Sequence, residues 1–205
     1  MHVSDGVLTE SLAGRIVLVG TTVLAAAGVG LGLRRTPQEL IPRVAVLACV
    51  FFVVSLVPFK LGPTSAHLGL TGLAGVLLGW SALPAFLVAI GLQAVFFGHG
   101  GITTLGLNTF NFGLAALLGA ALLRGPIRRS QGRVGPFLWG FLAGALPVLL
   151  TAGAVALELL AAGRAFQAFA GVVLLGNLPV ALVEGVITAA ALSFLRQVRP
   201  EALCS

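Results

Sequence analysis

Positions 61 through 123, lying between Lys60 and Arg124, form a run of 63 residues without a single Asp, Glu, Lys or Arg. One crossing of a bilayer takes roughly 20 apolar residues, so this stretch alone exceeds two crossings. The whole chain follows suit: 58% of its 205 residues are hydrophobic and 9% charged, and the mean hydropathy is +1.09. Soluble globular, disordered and disulfide-scaffold classes are excluded. The chain reads as an integral membrane protein.

The apolar runs lack the ten-residue alternation of barrel strands and read as helices, so the expected fold is an all-α bundle of about seven transmembrane helices. The expected spans are 12–33, 41–58, 66–80, 82–98, 108–124, 135–160 and 168–196, with residues 1–11 as an amino-terminal segment and 1–205 as one domain. Only Gly79, Trp80 and Ser81 separate the third span from the fourth, and Pro84 sits where a helix start tolerates it. The opening MHVSDGVLTE has neither a basic region nor an early apolar core, so no cleavable signal is expected and Met1 should remain in place.

A formal charge of +6 does not point to nucleic acid, because the arginines occupy short connections rather than a basic stripe with interleaved aromatics. They act as topology signals. With the amino terminus outside, nine basic residues fall inside (Arg34, Arg35, Arg43, Arg124, Arg128, Arg129, Arg133, Arg196 and Arg199) and three outside (Arg15, Lys60 and Arg164). An amino terminus outside and a carboxyl terminus inside are therefore expected. That places MHVSDG, LGPTSAH and GHGGITTLGLN on one outer face.

All three histidines, His2, His67 and His99, lie in those segments, and imidazole is the commonest ligand of borderline transition metals. If Met1 keeps a free amine, then the amine, the His2 amide and the His2 imidazole chelate one ion through a five-membered and a six-membered ring. Ni(II) and Cu(II) suit a plane of nitrogens, and Co(II) stands close in affinity. His67 follows a stiff Gly-Pro turn and is preferred as the fourth ligand, whereas His99 sits among pliable glycines and reads as a second-layer or gating residue. Asp5, Thr103 and Asn108 are the further polar candidates near the site. Cys49 and Cys204 have no metal-type spacing.

The acids in the late helices, Glu158 and Glu184, read as structural hydrogen-bonding groups, with Asn177 sharing a face with Glu184 and Asn111 or Ser193 as its expected partner. The pairs Gly28/Gly32 and Gly140/Gly144 have GxxxG spacing and allow either close packing within the chain or docking of a partner helix.

Together MHVSDG, ELIPRVAVLACVFFVVSLVPFKLGPTSAHLGLTGLAGVLLGW, LPAFLVAIGLQAVFFGHGGITTLGLNTFNF and NLPVALVEGVITAAAL resemble the cobalt/nickel substrate-binding (S) components of energy-coupling factor transporters, the CbiM/NikM family. The resemblance implies a seven-helix fold and a transported Co(II) or Ni(II) ion held by the Met1 amine, the His2 amide and imidazole, and His67. His99 falls at a position that varies in the family, and Lys60 departs from the family's less charged approach to the Gly-Pro turn. It also implies a transmembrane coupling subunit, two cytoplasmic ATPases, sometimes a small accessory membrane protein, and residence in a prokaryotic cytoplasmic membrane. No cofactor and no enzymatic activity are expected. Lys60 is flanked by Phe59 and Leu61, so the chain has no GK[ST] phosphate loop. Two other classes stand beside this reading: an ion-coupled secondary transporter using Glu158 and Glu184, and a membrane metalloenzyme with an open metal position.

Overall fold

The computed structural model describes residues 2–56, 58–61, 64–132, 134–163 and 166–203, with the main chain alone at 58–61, 64 and 65. Among them the chain builds eight α-helices: α1 (Leu12–Arg34), α2 (Ile41–Val54), α3 (Thr71–Leu78), α4 (Ala82–Phe97), α5 (Leu105–Arg129), α6 (Val134–Ala162), α7 (Gln167–Gly176) and α8 (Leu178–Val198). Two short strands, β1 (Pro58–Leu61) and β2 (Thr64–His67), separate α2 from α3. By length and composition alone five stretches suffice to cross a membrane, namely Leu12–Arg34, Thr71–Phe97 (α3 and α4 taken together), Leu105–Arg129, Val134–Ala162 and Gln167–Val198. The protein is an all-helical, multi-pass membrane protein.

The element ends follow local chemistry. Ser11 caps α1 by accepting the Gly14 N–H at 2.9 Å and donates its own hydroxyl to the Ala161 carbonyl of α6. The span expected over 41–58 stops at Val54, ahead of Pro58, which has no N–H to continue a helix. Strand β1 then pairs antiparallel with β2, setting Pro58 opposite His67 and Leu61 opposite Thr64. The span expected from 66 therefore begins only at Thr71. The last expected span, 168–196, is broken at Asn177, where Pro179 follows in the first turn of α8.

The chain reverses at Gly79, whose φ of +57° a side chain would resist. Before it, α3 runs in the direction of α5: Gly69 lies by Phe112, Gly75 by Ala116 and Gly79 by the Arg124 guanidinium. That guanidinium closes the end of α3 by donating to the Val76 carbonyl at 2.7 and 2.9 Å and to the Gly75 carbonyl at 3.1 Å. After it, α4 runs back, with Leu83 wedged between Gly28 of α1 and Gly113 of α5.

Both GxxxG pairs are used inside the chain. Gly28 and Gly32 receive Leu83 and Pro84 of α4, and Gly140 and Gly144 lie against Ala189 and the Glu184 carbonyl of α8. The docking role open to them in the sequence is thus taken by the chain's own helices. Phe51, Phe86 and Phe112 join α2, α4 and α5 in an aromatic cluster with ring centroids 5.0 to 6.0 Å apart.

Candidate metal site

Residues 2–10 form no helix, yet they are held firmly. Val3 and Leu8 are buried in an apolar cluster with Leu107 of α5 and Val155 and Leu159 of α6. The main chain of Val3 is gripped by Asn108, and the Val3 carbonyl also accepts from the Thr104 hydroxyl at 2.9 Å. Farther along, the Asp5 N–H donates to the Gly100 carbonyl at 2.9 Å, while its carboxylate accepts from the Thr103 hydroxyl and the Thr104 N–H. The 98–104 connection and the start of α5 thus form a cradle for the amino-terminal segment.

This cradle sets His2 beside His67. Their rings stack with centroids 4.9 Å apart and planes 22° apart, and His2 Nδ1 faces His67 Nε2 at 3.2 Å. Phe112 backs the His2 ring at 5.5 Å. His67 arrives from the end of β2, and its other nitrogen, Nδ1, is turned to the Leu68 carbonyl at 3.3 Å. Burial pushes the His2 imidazole down to about 4, with the charge of His99 adding to the effect. Burial likewise lowers His67 to about 4, against the Leu68 carbonyl, which favours its protonated form, and with the charge of His99. Both rings are therefore neutral near pH 7, the state in which imidazole binds a metal.

An imidazole nitrogen sits about 2.0 Å from a borderline divalent ion, so two neighbouring corners of a square plane lie about 2.8 to 3.0 Å apart. The observed 3.2 Å separation needs only a small adjustment to share one ion. Among the described residues no group of three His, Cys, Asp or Glu side chains surrounds a common point. Further donors to an ion at the pair would come from the main chain or from outside the described residues, where Met1 lies.

The other expected residues take distinct places. Asp5 lies within the amino-terminal segment, and Thr103 and Asn108 hold that segment through Asp5 and Val3. His99 is exposed, stands 6.1 Å from the Phe97 ring, and reaches the imidazole pair through its charge. The side chain of Lys60 lies outside the described residues.

Asn111 pairs with Glu158 at 3.0 Å and not with Glu184, which corrects the expected partnership, and the buried Ser193 hydroxyl has no partner among the described residues. Glu184 instead accepts the main-chain N–H of Gly69, just ahead of α3. The sequence marks Thr104 only as one of the polar residues of the glycine-rich segment, and it does not mark Phe112 at all. Thr104 was one residue from a named candidate, while Phe112 carried no signal distinguishing it from other apolar helix residues.

Comparison with known proteins agrees with this architecture. Residues 2–202 match the family described as CbiM, cobalt uptake substrate-specific transmembrane region. The cobalt transport protein CbiM of Sorangium cellulosum is 37% identical over 219 residues, covering 99% of this chain and 94% of that protein. The fused nickel transport protein NikMN of Rhodobacter capsulatus is 37% identical over 130 residues, covering 59% of this chain and 35% of its own length. A crystal structure of a truncated transition metal transporter superposes with a TM-score of 0.72 at 22% identity, covering 97% of this chain and 99% of that one. With the family matched from end to end of the described fold, the chain belongs to the CbiM family, as a transmembrane component of cobalt/nickel uptake and not an enzyme.

Proposed function

We propose that this chain is the substrate-binding (S) subunit of an ATP-driven energy-coupling factor transporter, taking up Co(II) or Ni(II) through the Met1 amine, the His2 amide and imidazole, and His67. The single observation that carries this reading is the approach of His2 Nδ1 to His67 Nε2 at 3.2 Å. Nδ1 is the ring nitrogen that closes a six-membered chelate with the residue's own amide, so the nitrogen the chelate requires is the one turned toward the fourth ligand. The amine of Met1 enters from that chelate chemistry and from the family resemblance. Asp5, Thr103 and Asn108 hold the segment in register, and His99 stands at the rim as a gating residue.

The metal end of the bundle faces outward in this reading. At the opposite end, Arg124 closes α3, Arg128 donates to the Leu203 carbonyl, and Arg196 donates to the Ser130 carbonyl at 2.6 Å. A basic end of this kind belongs on the cytoplasmic side of a prokaryotic membrane. The transport cycle uses a coupling subunit, two cytoplasmic ATPases and, in some assemblies, a small accessory membrane protein. The CbiM family description favours cobalt as the cargo.

Titration calorimetry of the purified chain with Co(II) and with Ni(II) tests the reading. A carboxyl-terminal tag leaves binding intact, whereas residues placed ahead of Met1 remove the amine and abolish tight binding. Native affinity in the amino-terminally extended protein overturns the chelate. Reconstituted alone, the chain shows no ATP-stimulated uptake, and the coupling and ATPase subunits confer it.

A further inference from the structure

Glu184 is 1% exposed, and the apolar cost of placing a carboxyl group there requires compensation. Its partner is specific: Oε1 accepts the Gly69 N–H, while Oε2 is buried without a hydrogen-bond partner among the described residues, on the side of the Leu70–Thr71 main chain. Gly69 lies two positions after His67, in the turn of residues 69 to 71 that opens α3. The turn itself is strained. Leu70 has a φ of +48°, the one positive value at a non-glycine residue among those described. Nothing in the immediate sequence holds Leu70 there, since α3 has no side-chain cap of its own. The far carboxylate on α8 supplies it.

The turn is also clamped from below. Gly72 of α3 lies on the Ala143 carbonyl of α6, and Gly144 of α6 lies on the Glu184 carbonyl of α8. His67, Gly69 and Glu184 line one small cavity with Phe112, the ring that backs His2.

We infer that Glu184 is a positioning residue for the metal site, fixing the His67 imidazole against His2 by capping the turn at residues 69 to 71 from α8. The inference rests on the reading of His67 as a ligand and extends it to a residue that does not itself touch the ion. It also gives α8 a grip on the site, so that any displacement of α8 against α3 is felt at His67.

A double-mutant cycle separates this role from a general contribution to the fold. Glu184→Gln lowers Co(II) affinity on the order of tenfold in the native background, within the roughly 10–100-fold usual for residues that orient a ligand. In a His67→Ala background, which keeps His2, the same change costs less than about twofold, because the residue it positions is gone. Glu184→Asp, which keeps the charge but shortens the reach, behaves as Glu184→Gln and serves if the amide variant does not fold. Equal losses in the two backgrounds, or no loss in the native one, overturn the positioning role. A His67→Ala variant that binds Co(II) as tightly as the native chain instead overturns the ligand assignment beneath it.

Discussion

Asn108 holds Val3 as a neighbouring strand would, its Oδ1 accepting the Val3 N–H at 2.9 Å and its Nδ2 donating to the Val3 carbonyl at 3.1 Å. One helical side chain thereby fixes the main chain one residue after His2. Asn108→Ala leaves the buried Val3 N–H unpaired and its carbonyl with the Thr104 hydroxyl alone, and should lower Co(II) or Ni(II) affinity on the order of 10–100-fold. Calorimetric titration of the variant checks this, and an unchanged affinity would show that Thr104 and Asp5 suffice to hold the segment.

His67→Ala should weaken metal binding more than His99→Ala. The first ring faces His2 Nδ1 across 3.2 Å, while the second is exposed and acts at a distance through its charge. Titration of the two variants under one condition decides the order, and the reverse order would move the fourth ligand to the 98–104 connection.

Acid should destabilise the metal-free fold across a defined window. His2 and His67 titrate near 6.5 when unfolded but have been lowered to about 4 by burial. Below the unfolded value the unfolded chain takes up protons that the folded chain refuses, so stability present above about pH 6.5 is lost as pH falls toward 4. Thermal unfolding in detergent should show a flat midpoint above neutrality and a falling one below it, with a shallower fall in His67→Ala. A parallel fall in both proteins would assign the acid sensitivity to other groups.

Gly72 and Gly20 should respond oppositely to the same substitution. A methyl at Gly72 would run into the Ala143 carbonyl, whereas one at Gly20 of α1 meets nothing within 4 Å. Gly72→Ala should cost about 1–3 kcal/mol through overpacking, and Gly20→Ala should be neutral or add about 0.5–1 kcal/mol through helix propensity. Unfolding midpoints of the two variants report the difference.

Much of this was legible because membrane helices announce themselves by length and charge. The uncharged run, the spans of α1, α5 and α6, and the gathering of His2 and His67 followed from counting residues between charges. The hairpin at 58–67 was harder to see, since Val57, Pro58, Phe59 and Leu61 continue the apolar run of α2 and only Pro58 argues against a helix there. Glu184 was assigned side-chain partners because side chains are what a sequence displays. Its actual partner is the Gly69 main-chain N–H, 115 positions earlier, made available by a turn whose conformation no residue type at 69–71 demands. Burial of GxxxG faces was equally hidden, because the pattern is the same whether the neighbouring helix belongs to this chain or to another.

The Val3 to Asn108 contact spans 105 positions of chain, and this has a consequence for biosynthesis. Residues 2 to 5 leave the ribosome long before they find their places, because their cradle includes the start of α5. Until about half of the chain has been made and inserted, His2 has no seat and the imidazole pair cannot form. The imidazole pair should therefore assemble late and abruptly during synthesis, and chains arrested before residue 108 carry His2 without its seat.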